Sequence, residues 1–139
     1  MVKKRTREKG SPSGVRTSSA ASSKLTFSFA FFDTFDPEVC PANFPDGYVQ
    51  TLMGRLRDLS SWTAVEFATS RAKGLRCHPV EWKGTSKPEG FARLPDQVVE
   101  GATPYQFSLT SNAHGRVFGL LVGHTFHVVW LDQQHNVYS

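Results

Sequence analysis

The sequence predicts an α+β fold in which one strand and two helices precede three antiparallel strands, and three observations support this. The last third of the chain contains three short apolar segments separated by turn residues, which is typical of strands joined by hairpins. Apolar residues recur at helical spacing between residues 48 and 68, and an alternating apolar segment precedes them. A chain of 139 residues is expected to form one domain, here over residues 25–139.

Residues 1–24 are expected to form a disordered basic arm. They include seven basic residues and one acidic residue, whereas the rest of the chain has nine basic and eleven acidic residues. The segment is rich in Ser, Gly and Ala and has no aromatic residue, so it cannot bury enough apolar surface to offset its ordering entropy. Two interpretations stay open: an arm that binds nucleic acid through its charge, or a solubilising, variable or misassigned terminus.

Composition and motifs argue against several classes of protein. No apolar run approaches the roughly 18 residues of a membrane span, and no apolar segment follows the basic N-terminus as in a signal peptide. Cys40 and Cys77 are too few for a disulfide scaffold and lack metal-ligand spacing. We therefore expect a cytoplasmic protein without a membrane partner.

The first strand is predicted over "KLTFSFAFFD", residues 24–33, because large apolar residues alternate with smaller ones. A proline-rich, irregular connection follows it. Asp46 is predicted to cap the first helix, which is expected to end near Leu59. Four apolar residues at helical spacing predict its inner face: Val49, Leu52, Met53 and Leu56.

The second helix is predicted from a capping box, in which Thr63 and Glu66 each satisfy a backbone N–H of the first turn. Gly74 is predicted to stop this helix. Residues 71–97 have weak periodicity and many Gly and Pro residues, so we expect a long loop, with an extended piece around residues 75–82. A long structureless loop in a small domain is uncommon and often functional.

The last third of the chain predicts a three-stranded antiparallel meander. Its strands are "YQFSLTS", "RVFGLLV" and "TFHVVWL", joined by the turns "NAHG" and "GH". The middle strand is apolar on both faces and is therefore expected to be the most buried.

A cluster of basic residues in the long loop is a candidate nucleic-acid site. Between residues 71 and 93 there are six basic and two acidic residues, in a body that is otherwise net negative. Such residues hold phosphates, and a tryptophan stacks on bases; the alternative is a solvated, charged loop. The candidate nucleic-acid-binding residues are Arg71, Lys73, Arg76, His78 and Trp82.

Four residues near the meander are candidates for catalysis. His114 lies in a turn, and Arg116 begins a strand that otherwise reads as buried, where a charged residue must reach solvent, pair or bind a ligand. Histidine exchanges a proton near neutral pH, and arginine stabilises developing phosphate charge. His135 and Tyr138 follow the last strand as further acid or base candidates. Ordinary turn chemistry and a packed tail are the alternatives.

No cofactor or metal is expected. The sequence contains no glycine-rich phosphate loop, serine-hydrolase elbow or zinc-protease motif. His124 and His127 are expected to point to opposite faces, so they do not form a ligand pair. His124 reads as a turn residue and His127 as a structural strand residue.

The order of predicted elements resembles the RelE/ParE-like toxin superfold over roughly residues 25–138. Two segments, "RAKGLRCHP" and "SNAHGRVFGLLVGHTFHVVWLDQQHNVY", are also similar to small uncharacterised bacterial proteins that end in WLDxxHxxY. The chain departs from the toxin pattern in its longer loop, and in Trp130 and Asp132 where the last strand would carry an arginine.

The toxin resemblance implies a metal-independent endoribonuclease that acts on messenger RNA, commonly at the ribosome, with an antitoxin protein as a partner. It implies cleavage by attack of the ribose 2′-hydroxyl. The positions that match in kind are Arg116 on the middle strand, and His135 and Tyr138 after the last strand. Lys73 and Arg76 match as basic residues that precede the meander.

The leading hypothesis is thus a ribonuclease in which Arg116 holds phosphate and His114, His135 or Tyr138 acts as acid or base. The rival hypothesis is a non-catalytic nucleic-acid- or protein-binding module. The enzyme requires Arg116, His114 and the segment from His135 to Tyr138 to converge within hydrogen-bond reach of one shared space.

Overall fold

The computed structural model describes residues 22–111 and 113–138 and shows a mixed α/β fold with one five-stranded sheet. The strands lie in the order β1-β5-β4-β3-β2, with β1 parallel to β5 and every other pair antiparallel. Their bounds are β1, Thr26–Ser28; β2, His78–Pro79; β3, Thr103–Ser108; β4, Arg116–Val122; and β5, Thr125–Asp132. Residues 1–21 of the predicted basic arm lie outside the described residues.

The three predicted C-terminal strands are present as β3, β4 and β5. Strands that are consecutive in the chain pair antiparallel, and β4 is the central strand of the sheet. Gly123 and His124 form the predicted two-residue turn between β4 and β5. The end of the sheet at which β3 stops, β4 starts and β5 stops therefore brings the β3–β4 turn next to the segment that follows β5.

Within the described residues three α-helices accompany the sheet: α1, Tyr48–Leu59; α2, Ala64–Thr69; and α3, Asp96–Glu100. The capping box of α2 is confirmed, because the Glu66 N–H donates to Thr63 Oγ1 at 3.2 Å and the Thr63 N–H donates to Glu66 Oε1 at 2.7 Å. This helix ends at Thr69, before the predicted stop at Gly74. Of the helices in the described part of the chain, none is long and apolar enough to cross a membrane.

The predicted inner face of α1 is only partly right. Leu52 and Leu56 are buried, but Val49 and Met53 are 52% and 56% exposed. Tyr48 is fully buried instead, so the buried stripe follows residues 48, 52, 56 and 59. An aromatic ring contributes more buried area than either exposed residue, which explains the rotation of the helix.

The predicted cap of α1 is also wrong. Gly47, and not Asp46, occupies the cap position, and no side chain bonds to the first turn. The Tyr48 N–H donates to the carbonyl of Pro45 at 3.1 Å, so a backbone turn precedes the helix. Gly47 has a φ of 84°, a left-handed conformation that glycine adopts without steric cost.

The first strand is shorter than predicted, because the chain turns after Ser28. The Phe32 N–H donates to the carbonyl of Phe29 at 3.1 Å, and Phe29 is 48% exposed. The Asp33 N–H then donates to the carbonyl of Val129 at 2.9 Å, so the chain rejoins β5 beyond the turn. Alternation of apolar residues continues through such a turn, which is why the sequence pattern overestimates the strand.

The extended piece predicted around residues 75–82 is present as β2, and the long loop contains further structure that the sequence does not reveal. β2 pairs with β3, with His78 opposite Gln106, and adds a fifth strand at the sheet edge. A 3₁₀ turn at Trp82–Gly84 follows, and α3 begins at Asp96 within the predicted loop. A two-residue strand is too short to show periodicity.

Two apolar cores lie on the two faces of the sheet. The core that includes α1 and α2 has as its largest buried members Tyr48, Leu59, Phe67, Phe107 and Phe126. The opposite core is built from the loop, β4, β5 and the chain end, with Val80, Phe91, Phe118, Trp130 and Val137. The loop thus covers the second face of the sheet.

Asp33 connects three parts of this second core. Its carboxylate accepts hydrogen bonds from the Phe35 N–H at 2.8 Å, Trp130 Nε1 at 3.2 Å and Arg93 Nη1 at 3.0 Å. Burial alone would raise the pKa of Asp33, but these bonds and the charge of Arg93 outweigh burial and lower it. A lowered pKa means that the ionised form stabilises the fold.

Replacing Asp33 with asparagine is expected to lower the free energy of unfolding by about 2 kcal/mol near neutral pH. The contribution is present above the ordinary carboxyl pKa of 3.8 and is lost as the pH falls through the lower pKa of the folded state. Urea unfolding of both proteins between pH 6 and pH 3 should therefore show the difference shrinking in acid. A constant difference, or one that grows in acid, would refute this role; Asp58→Asn, at an exposed carboxylate, is the control.

Candidate functional site

A polar cavity of about 330 Å³ lies at the end of the sheet where β4 begins and β5 ends. Residues from the loop before β2, from the β3–β4 turn and from the segment after β5 line it together. We call it the basic cavity because its titratable lining residues are Arg76, His114, Arg116 and His135. Serine, threonine and glutamine side chains complete the wall, so the cavity offers many hydrogen-bond donors and no carboxylate.

Arg116 is held in place by the first residues of β4. It lies between Ser108 of β3 and Asp132 of β5, and its Nη1 donates to Gln106 Oε1 at 3.1 Å. Burial lowers the pKa of Arg116, and the charge of Arg76 lowers it further, against the opposing effect of Asp132. A guanidinium nevertheless stays charged. Within the described residues only one of its five N–H donors is bonded, so the others are free for an oxyanion.

The backbone around the basic cavity is unusual. Among the described residues, three that are not glycine have positive φ: Arg76 at 50°, His114 at 69° and His135 at 62°. All three line this cavity. A left-handed backbone costs roughly 1–2 kcal/mol for a residue with a Cβ, and such strain is concentrated at functional sites. The fold therefore retains an unfavourable conformation at three separate points that face one space.

His135 is positioned by the chain end. Its Nδ1 lies 2.6 Å from the carbonyl oxygen of Tyr138, which only accepts, so Nδ1 carries the proton. The Asp132 carboxylate holds the same segment, because it accepts the N–H groups of Asn136 at 2.8 Å and Val137 at 2.9 Å. Nε2 of the neutral His135 ring is then left as a proton acceptor.

His114 has a similar arrangement. Its Nδ1 lies 3.4 Å from Thr110 Oγ1, and that hydroxyl donates its only hydrogen to the carbonyl of Ala113 at 2.6 Å. The hydroxyl must therefore accept from His114, which places the proton on Nδ1 and frees Nε2. Both histidines of the basic cavity thus have the same tautomer, with Nε2 available for proton transfer.

A second cavity adjoins the first, with Arg116 in the wall of both. We call it the tyrosine cavity; it measures about 320 Å³ and is lined by His78, Gln106, Arg116 and Tyr138. The rings of His78 and Tyr138 are 6.3 Å apart and inclined at 63°. The Tyr138 hydroxyl accepts the Glu81 N–H at 3.1 Å, so its own hydrogen remains free to donate.

The other predicted nucleic-acid-binding residues lie outside these cavities. Arg71 and Lys73 are exposed on the loop that leads to Arg76. Trp82 is half-buried in the second core, with ring centroids 4.9 Å from Phe91 and 5.7 Å from Trp130. Its ring stabilises the loop that carries His78.

The remaining histidines and cysteines show no clustering. Residues 22–111 and 113–138 contain no group of three or more His, Cys, Asp or Glu placed to hold a metal ion. His124 lies in the β4–β5 turn, at the opposite end of the sheet from the basic cavity. The ring of His127 lies 5.1 Å from that of Phe31. Burial raises the pKa of the Cys77 thiol to about 12, which disfavours a thiolate.

Two residues of the site do not stand out in the sequence. Gln106 is fully buried and pairs with Arg116, and Asp132 is 1% exposed and fastens the chain end. The alternation of β3 places Gln106 on a polar face, but only the strand register brings it to Arg116. For Asp132 the signal is a carboxylate that ends an apolar strand, three residues before His135 and six before Tyr138.

Comparisons with protein-family models, curated proteins and solved structures give no match for this chain. The resemblance to the RelE/ParE-like superfold therefore stays a prediction.

Proposed function

We propose that this protein is a metal-independent endoribonuclease with RelE-like topology, acting as the toxin of a bacterial toxin–antitoxin or defence system. The observation that carries this proposal is that Arg76, His114, Arg116 and His135 line one cavity although they come from three separate segments. Tyr138, the fourth predicted catalytic residue, does not line the basic cavity and lies instead in the wall of the adjoining one. The order β1, α1, α2 and then β3 to β5 supports the proposed topology, with β2 and α3 as additions in the loop.

The chemistry follows from the free groups of the basic cavity. A ribose 2′-oxygen attacks the adjacent phosphorus while the bond to the 5′-oxygen of the next nucleotide breaks. One histidine Nε2 accepts the 2′-hydroxyl proton, and the other, protonated, gives a proton to the leaving 5′-oxygen. The products are a 2′,3′-cyclic phosphate and a 5′-hydroxyl. Arg116 and Arg76 stabilise the negative charge on the non-bridging phosphoryl oxygens.

The proposed substrate is single-stranded RNA, such as messenger RNA at the ribosome, and an antitoxin protein is the proposed partner. Arg71 and Lys73 add exposed positive charge to the loop that leads to Arg76. Exposed positive charge binds the phosphate backbone without sequence preference and becomes weaker as salt is added. These two residues are therefore expected to affect affinity more than the rate of the chemical step.

The test is cleavage of end-labelled RNA by purified protein in the presence of a metal chelator. Arg116→Ala and His135→Ala are each expected to lower the rate at least about 100-fold, the usual effect of removing an oxyanion donor or a general acid or base. Arg57→Ala and His124→Ala are matched controls, because Arg57 is exposed on α1 and His124 lies at the far end of the sheet. Thermal unfolding of each variant shows whether the fold is retained.

Three results decide the proposal. Cyclic-phosphate products, lost with Arg116 and His135 but not with the controls, support the ribonuclease. RNA binding without cleavage would favour the rival, a non-catalytic nucleic-acid-binding module. Neither binding nor cleavage, together with harmless induced expression in bacteria, would argue against both nucleic-acid roles.

A further inference from the structure

The strongest unexplained feature near the site is the side-chain amide of Gln106 in the tyrosine cavity. Gln106 has no exposed surface, and its Nε2 has no hydrogen-bond partner among the described residues. Its Oε1 accepts from Arg116 Nη1 at 3.1 Å. A guanidinium only donates, so this bond fixes the orientation of the amide and leaves Nε2 as the free donor.

A buried donor without an acceptor is unfavourable in the free protein. The arrangement becomes favourable when a ligand supplies an acceptor, and then it discriminates against ligands that lack one. Gln106 shares its cavity with the rings of His78 and Tyr138. Aromatic rings beside one oriented donor are the elements with which proteins bind an unstacked nucleobase.

The position of the tyrosine cavity next to the basic cavity is consistent with a nucleobase as its ligand. Arg116 separates it from the basic cavity, and each cavity holds about one small ligand by volume, at about 320 Å³ and 330 Å³. A nucleotide chain whose phosphate lies against Arg116 would place a neighbouring base in the tyrosine cavity. One arginine then contacts the phosphate while it holds the glutamine that faces the base.

We propose that the tyrosine cavity is a nucleobase pocket in which Gln106 Nε2 donates to a carbonyl oxygen of the base. Guanine, hypoxanthine and the pyrimidines carry such an oxygen, whereas adenine has an amino group at the corresponding edge and only ring-nitrogen acceptors. The pocket therefore selects oxo-bases over adenine. This inference rests on the proposed function, because it assigns a base subsite to the same RNA site.

The experiment compares two 2′-O-methyl trinucleotides, one of adenosine and one of inosine, whose bases differ in the 6-amino or 6-oxo group and in the hydrogen on N1. The methyl group blocks 2′-oxygen attack, so binding is measured without cleavage. The chain of residues 1–139 is expected to bind the inosine probe about tenfold more tightly, as one neutral hydrogen bond allows. Any binding of phosphates by the basic N-terminal segment affects both probes equally and cancels in the ratio.

Gln106→Met keeps the size of the side chain and removes the donor, so the ratio should fall to about one. Gln50→Met, at an exposed glutamine on α1, is the matched control and should keep the preference. If Gln106→Met does not fold, the ratio of the two probe affinities measured for the unaltered protein still tests the inference. Equal affinities, no binding of either probe, or a preference that persists in Gln106→Met would each overturn the inference.

The two proposals fail in distinguishable ways. Cleavage of unmodified RNA together with equal affinities for the two probes would retain the ribonuclease and remove the base pocket. An inosine preference without any cleavage would retain the nucleobase pocket and remove the ribonuclease.

Discussion

Replacing Gly115 with alanine is expected to destabilise the fold by roughly 3 kcal/mol and to disrupt the basic cavity. Gly115 has a φ of 66°, and an added Cβ would collide with the Asp132 carbonyl oxygen and lie 2.7 Å from Gln133 Cα. These are backbone atoms, so no side-chain rotation relieves the contact. The left-handed conformation costs about 1–2 kcal/mol, and overpacking adds about 1–3 kcal/mol.

Gly47→Ala provides the matched control. Gly47 also has positive φ, at 84°, but nothing lies within 4 Å of its added Cβ. Denaturant unfolding should therefore show a loss of about 1 kcal/mol for Gly47→Ala and clearly more for Gly115→Ala. Equal losses of unfolding free energy in the two variants would mean that the β3–β4 turn does not pack closely against the end of β5. Because Gly115 lies between His114 and Arg116, RNA cleavage should also fall in this variant and not in Gly47→Ala.

The elements that could be predicted from the sequence are those with local signals. The capping box of α2 depends on two residues three apart, and the turn at Gly123 depends on two adjacent residues. The strands β3, β4 and β5 follow from alternation and apolar runs. The errors have tertiary causes: β1 ends where the chain turns towards β5, and α1 rotates to bury Tyr48.

The candidate site, too, could be predicted from the sequence only in part. Arginine and histidine at turns and strand ends were recognisable by residue type, but their convergence depends on the strand register and on the left-handed backbone of Arg76, His114 and His135. Gln106 was unrecognisable, because its importance comes from a diagonal neighbour across two strands. The single sequence does not show that these two residues, ten positions apart on different strands, become diagonal neighbours.

Asp132→Ala is expected to release the chain end and to lower the free energy of unfolding by about 3 kcal/mol. The carboxylate accepts two backbone N–H bonds, from Asn136 and Val137, and each bond to a charged group contributes about 1.5–3 kcal/mol. Burial raises the pKa of Asp132, which means that desolvation of the ion offsets part of this gain. Alanine also leaves the Val137 N–H unpaired in the core, where Val137 has no exposed surface.

Hydrogen exchange separates this local effect from a general loss of stability. In Asp132→Ala the amides of Asn136 and Val137 should exchange faster than those of β4, whereas Asp58→Ala, at an exposed carboxylate, should change neither. Unchanged protection of Val137 would show that apolar packing alone holds the chain end. His135 and Tyr138 belong to this segment, so its release should disturb the walls of both cavities. RNA cleavage should then fall, and the preference for the inosine probe should be lost. One buried carboxylate outside the chemistry would then determine whether the proposed acid–base group and the proposed base pocket exist together.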